Sequence, residues 1–266
     1  MGHVRIKDLC KYFVDTRQAR RVKNSNGDMF GCERLQVLDN VNLEFQDGEL
    51  VCVLGPSGCG KSTLANIIAG FEKRSSGSVL IDGKEVDGPS SDNIFVFQHN
   101  SLFPWMTVRE NVGLGLRHIK DNGKMAELVQ EYIDVVNLTG FEDHYPHQLS
   151  GGMQRRAELA RALVVNPEVL FMDEPFAGLD FLTRLKMREE VINMHQLIGK
   201  TIIFITHDIE EALMMADRVV LFTDRPAKVR LDTKLESPHP RDFVCDSQLE
   251  DLRREVYQEL GVHYAL

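Results

Sequence analysis

The stretch Gly55-Pro56-Ser57-Gly58-Cys59-Gly60-Lys61-Ser62-Thr63 puts three glycines, a lysine and adjacent hydroxyls within nine residues, a combination suited to holding phosphate. The glycines let backbone N–H groups turn inward around phosphate oxygens, and the start of a following helix adds positive potential. In this pattern Lys61 bridges the β- and γ-phosphates of a nucleotide, Ser62 ligates Mg²⁺ and Thr63 reaches the α-phosphate. Asp173-Glu174 closes the apolar run Val169-Leu170-Phe171-Met172. Asp173 is expected to hold Mg²⁺ directly or through water, and Glu174 to polarise an attacking water as general base. Gln98 follows Asn93-Ile94-Phe95-Val96-Phe97 and is a candidate Mg²⁺ ligand or water-orienting group. His207 follows Thr201-Ile202-Ile203-Phe204-Ile205-Thr206 and is placed to hydrogen-bond a γ-phosphate and orient Glu174. Taken singly, these residues also admit plainer readings: exposed acids, a solvated glutamine, a surface histidine.

Their common position argues for chemistry, and that position comes from the elements around them. Residues 49–54, 93–97, 169–172, 201–206 and 218–222 are short apolar runs, each read as a buried strand. Helical patterns follow the phosphate loop over 61–69, cover 208–216, and run over 151–165 with Ser150 as N-cap and Pro167 just beyond the end. Apolar strands separated by helices predict an α/β fold with a mainly parallel sheet. Such sheets gather ligands at the carboxyl ends of their strands, where Gly55, Gln98, Asp173, Glu174 and His207 all fall. Residues 4–54 read as β-rich, with 40–45 alternating polar and apolar and 78–83 adding a strand and a tight turn. The stretch from Leu102 to about Tyr145 reads as a helical insert, with apolar residues at helical spacing over 125–136.

The 266 residues carry a net charge of -9, which gives a nucleic-acid partner no general electrostatic support. No run of eighteen apolar residues is present, so no helical membrane span is expected. The five cysteines, Cys10, Cys32, Cys52, Cys59 and Cys245, are odd in number and form no C-x-x-C pair, which fits a reduced, cytosolic setting.

Leu149-Ser150-Gly151-Gly152-Met153-Gln154 resembles the signature of ATP-binding-cassette (ABC) proteins. Together with the phosphate loop, Gln98, Asp173-Glu174, Ala177-Gly178-Leu179-Asp180 and His207, it falls in the order and approximate spacing of the ABC ATPases, over residues 4–225. The resemblance implies a P-loop NTPase core with a mainly parallel sheet, an N-terminal antiparallel β subdomain and an inserted helical subdomain at about 100–150. It further implies an ABC ATPase domain over 1–225 and a short helical extension over 226–266. ATP and Mg²⁺ are the implied cofactors. Ser150, Gly151 and Gly152 would contact the γ-phosphate of ATP held by the other copy of a homodimer, and Asp180 would lie in the loop coupling the two sites. By the same resemblance Phe13 is the aromatic that stacks on adenine, with Tyr12 as the alternative; core packing of both rings remains open.

Residues 98–112 are similar to a segment of bacterial importers that helps form a groove for a helix of the membrane subunit. The set Leu102, Phe103, Trp105 and Met106, read as exposed, suits such a contact, with local core packing open for any one of them. Residues 206–213, Asp224-Arg225-Pro226 and Ser237-Pro238-His239-Pro240 resemble the nitrate, sulfonate and taurine importer branch. That branch implies a peripheral ATPase subunit on the cytoplasmic face of the cell membrane, bound to an integral-membrane permease and served indirectly by a solute-binding protein, with no nucleic acid. Leu249, Leu252, Val256 and Leu260 give the tail an amphipathic helix. Two features depart from the family. The connection over 14–36 is long and reads as an extended surface loop or hairpin. Cys59 sits inside the phosphate loop, where neighbouring N–H groups and the helix N-terminus are expected to lower its pKa, so that alkylation blocks turnover. Two other readings stay open: a soluble ABC-type ATPase in DNA repair or translation, and a P-loop kinase, which leaves Ser150-Gly151-Gly152 unexplained.

Overall fold

The computed structural model describes residues 2–14, 34–97 and 101–261. Gln98 and most of the long 14–36 connection therefore lie outside the described residues. Two sheets organise the chain. The N-terminal one is antiparallel, in the order β2-β1-β4-β5, from β1 (Val4–Val14), β2 (Arg34–Phe45), β4 (Ser76–Ile81) and β5 (Lys84–Glu85). The second has the order β10-β9-β3-β8-β7-β6, from β3 (Leu50–Leu54), β6 (Asn93–Val96), β7 (Val169–Asp173), β8 (Thr201–Ile205), β9 (Arg218–Phe222) and β10 (Val229–Lys234). Its strands run parallel from β9 to β6, and only β10 is antiparallel.

The apolar runs of the parallel strands are explained by burial on both faces. Leu50, Cys52 and Leu54 face one core with Leu170, Met172, Ile202 and Phe204. Val51 and Val53 face the other with Phe171, Ile203 and Ile205. Helix α1 (Lys61–Ile68) and the antiparallel sheet close the second core. The first core is closed by α4 (Gly151–Leu163), α5 (Phe181–Ile198), α6 (Ile209–Met215) and α7 (Ser247–Glu259). The expected helical insert is present as α2 (Val108–Gly113) and α3 (Asn122–Val135). Thr107 and Glu110 form a capping box that starts α2, and Asp121 caps α3.

Two elements were not legible in the periodicity. Helix α5 buries only the narrow stripe Met187, Val191 and Met194, so its apolar signal is weak. The tail beyond 225, expected to be helical, begins instead as strand β10, whose alternating burial reflects an edge position. Ala227 also donates to Val37 O and accepts from Asp39 N, stitching this segment to β2. The helix of the tail is confined to α7, where Leu249 and Val256 are buried as the spacing predicts. Among the described residues no helix is long and apolar enough to cross a membrane.

Candidate functional site

The carboxyl ends of β3 and β7 meet at a cavity of about 500 Å³. The loop after β3 bends sharply before α1, and Gly60, the residue before that helix, has φ 130°. A side chain there would place its Cβ 2.8 Å from Val37 Cγ1, so glycine is required both by conformation and by the approach of β2. Lys61 is 5% exposed and its ammonium donates to Gly55 O at 2.7 Å and Pro56 O at 3.1 Å, which holds the positive charge over the loop. Ser57, Gly58, Gly60, Lys61, Ser62 and Thr63 line the cavity, while Gly55, Pro56 and Cys59 form the loop behind it.

Asp173 and Glu174 line the same cavity from the end of β7. Burial pushes the Asp173 carboxyl above its ordinary range; the Ser62 hydroxyl, hydrogen-bonded to it, opposes the shift, and the neighbouring Glu174 charge adds to it. A carboxyl raised in this way favours the folded state at acid pH and loses that contribution as pH rises through its folded-state value. Asp173→Asn is therefore expected to raise the Tm of the nucleotide-free protein by roughly 1–3 °C near neutral pH, with the gain shrinking toward about pH 4. Calorimetry across pH checks this, and turnover should fall as stability rises.

Glu174 adopts φ 45°, a left-handed conformation that costs a non-glycine residue about 1–3 kcal/mol. Its N–H donates to Ile205 O at 2.9 Å, which anchors the turn to β8. The chain leaving β8 then brings His207 Nδ1 to 3.1 Å from Glu174 Oε1. Phe13 closes the opposite end of the cavity with Leu35 and Val37. It pairs across the hairpin with Leu35, whereas Tyr12 pairs with Gln36 on the other face and does not line the cavity.

The signature residues are not part of this cavity. Ser150 is exposed, and its hydroxyl accepts from Met153 N at 3.3 Å as the N-cap of α4. A Cβ on Gly152 would lie 2.9 Å from Thr183 Cγ2, so the tip of α4 rests against the start of α5 in the same chain. Asp180 caps α5 by accepting from Thr183 N at 3.1 Å, and hydrogen bonding from Thr183 holds its carboxyl below the ordinary range. Ser150, Gly151 and Asp180, which are exposed, and the half-buried Gly152 therefore form a second group outside the loop–carboxylate cavity.

Two expectations change, and one cavity residue carried none. Cys59 is 2% exposed, and burial raises its thiol pKa despite the opposing charge of Lys61, so it is not an activated thiolate. Leu102 is buried in the first core, not exposed, while Trp105 is 69% exposed and Phe103 and Met106 are half-buried. Arg225, part of a sequence pattern with no role expected in the site, lines the cavity, and its guanidinium donates to Gly58 O at 2.6 and 3.1 Å. Its place in Asp224-Arg225-Pro226, just past the end of β9, was the available signal.

Comparison with known proteins agrees with this geometry. The family model described as "ABC transporter" matches residues 38–177. The aliphatic sulfonates import ATP-binding protein of Bacillus cereus is 39% identical over 96% of this chain and 95% of its own length. The nitrate import ATP-binding protein of Synechococcus elongatus is 42% identical over 86% of both chains. A solved structure of the dimeric cassette MJ0796 in a post-hydrolysis state, bound to ADP and Pi, is 32% identical and covers 88% of this chain and 100% of that one, with a TM-score of 0.69. A family model matched over more than half the sequence, and relatives this similar along most of it, show that the chain belongs to the ABC transporter family and carries its ATPase domain.

Proposed function

We propose that this chain is the ATP-hydrolysing subunit of a membrane importer for a small anion of the nitrate, sulfonate or taurine type. The observation that carries the ATP-driven clamp is the division of the site. Phosphate loop, Asp173 and Glu174 share one cavity, while the Ser150-Gly151-Gly152 tip lies outside it with Ser150 and Gly151 exposed. A second copy, docked head to tail, would bring its Ser150 tip over the first copy's nucleotide and complete both sites. The dimeric state of MJ0796 supports this arrangement.

In this reading Lys61 neutralises phosphate charge from the position where Gly55 and Pro56 carbonyls hold it. Phe13 packs against adenine. Glu174 takes a proton from the attacking water, and His207 at 3.1 Å orients the carboxylate. The residues fit Mg²⁺: a hydroxyl and a carboxylate, Ser62 and Asp173, already hydrogen-bond each other, and burial of Asp173 is a cost a divalent cation offsets. Gln98 would be a further ligand. When bound, the ion neutralises the β- and γ-phosphates.

The permease contact is assigned to the surface around Trp105. Phe103 packs against Trp105 in a tilted arrangement, with ring centroids 5.3 Å apart. Phe71 and Phe97, exposed by 50% and 47%, form another exposed aromatic pair, 6.4 Å apart. The names of the relatives, nitrate and sulfonate import proteins, support a small anion as cargo and offer no support for DNA repair or translation. Purification of the chain from its native membrane tests the reading: an integral-membrane partner should accompany it. Trp105→Glu is expected to abolish that co-purification, lowering the yield of partner by about tenfold or more, while the isolated subunit's ATPase stays within about twofold. Isolation of the chain free of any membrane partner would count against importer function.

A further inference from the structure

Below its exposed tip, helix α4 carries a charged pair that the nucleotide cavity does not use. Arg155 and Glu158 are 5% and 2% exposed and ion-paired with each other. A buried pair of this kind is seldom more stabilising than apolar residues of the same volume. What the pair holds therefore matters more than its own strength. Arg155 Nη2 donates to the carbonyl of Phe97 at 2.8 Å. Glu158 Oε1 accepts from the backbone N–H of Ser101 and, at 2.9 Å, from its hydroxyl. Arg161, further along the same helix, donates to Ser101 O at 2.8 Å and to the Ser101 hydroxyl. All three polar groups of Ser101 are thus held by α4. Phe97 and Ser101 are the described residues on either side of positions 98–100.

We propose that Arg155 and Glu158 are positioning residues for ATP hydrolysis. They fasten the points where the chain enters and leaves the Gln98 segment to the helix whose first turn is the Ser150 tip. The described anchors Phe97 and Ser101 are thereby tied to the helix that carries the Ser150 tip, the part that the proposed function brings to the partner copy's nucleotide. This rests on the ATPase reading of Gln98 and Ser150 above. The Arg161 guanidinium also lies 5.9 Å from the Phe103 ring centroid, so the same clasp borders the surface assigned to the permease.

The test is steady-state ATPase of the purified full chain, with KM for ATP and kcat read separately and Tm measured alongside. The double variant Arg155→Met/Glu158→Leu replaces the pair with apolar residues of similar size and should leave Tm at or above wild type. We expect kcat to fall by at least about tenfold with KM for ATP within about threefold, because alignment is lost and not nucleotide binding. A purely structural pair predicts the opposite, and kcat within about twofold of wild type at unchanged Tm overturns the proposal. If the double variant does not fold, Ser101→Ala decides. It removes only the hydroxyl, and a kcat loss of about threefold or more supports the clasp, whereas an unchanged kcat overturns it. Glu174→Gln runs in parallel. If it is inactive while the clasp variant is normal, only the clasp fails; if it hydrolyses like wild type, the ATPase reading fails and takes the clasp with it.

Discussion

Glu174→Gln is expected to cut ATP turnover by about 10²–10⁴-fold while leaving ATP affinity within about twofold of wild type. The substitution keeps size and hydrogen-bonding shape but removes the group that takes the proton from water. The phosphate loop that supplies binding is untouched, since Lys61 and Ser62 come from a different element. The strained turn at Glu174 is set by its N–H bond to Ile205 O, which the variant retains. Only the approach of His207 changes, because an amide offers that ring no charge. ATP should then persist at the site, and size-exclusion chromatography with ATP should show a dimer for the variant at concentrations where wild type elutes as monomer. Steady-state hydrolysis and equilibrium binding of a fluorescent nucleotide separate the two effects. A variant that hydrolyses at the wild-type rate would remove Glu174 from the mechanism.

Ser150→Arg is expected to spare nucleotide binding to the monomer and reduce turnover by about 10²-fold or more, the scale of losing a donor aimed at developing charge. Ser150 lies outside the cavity that holds Lys61, Asp173 and Glu174, so its own protomer's ATP does not depend on it. A long cation at the exposed tip of α4 would obstruct the closing of two copies. The substitution also removes an N-cap, an effect of roughly 1 kcal/mol on stability, which must be separated from the loss of turnover. Ser150→Asp does so, because aspartate caps helices as well as serine yet sets a negative charge against phosphate. Both variants should be inactive and the second should keep wild-type Tm. Wild-type turnover in Ser150→Asp would mean that the residue only starts a helix.

The groups that carry the proposed chemistry could be picked out from the order of residues because each is local. Glycine spacing in the phosphate loop, a carboxylate pair at the end of an apolar run, and a serine ahead of two glycines each report a backbone requirement that a few adjacent residues satisfy. Polar residues at strand ends could be placed on one edge because parallel strands must align there, and β3, β7 and β8 do so. Helix α5 and strand β10 were not legible, since one buries a narrow stripe and the other sits at a sheet edge.

What only the tertiary structure decided follows from long-range contact. Burial in the second core reverses the expected shift at Cys59, because desolvation outweighs the nearby lysine. The turn of the chain after β9 delivers Arg225 to Gly58 across 167 positions, a contact that no spacing rule reports. Leu102 faces inward because it belongs to the same buried cluster as Val108 and Val112 of α2 and Leu159 of α4. The Arg155–Glu158 clasp depends on how α4 packs against the end of β6, which joins Phe97, Ser101 and α4 only in the folded chain. Residue types and local spacing thus determined which reaction this protein is equipped to perform. Folding decided which groups are desolvated and which are joined, because burial and distant hydrogen bonds exist only once the sheets and helices have packed.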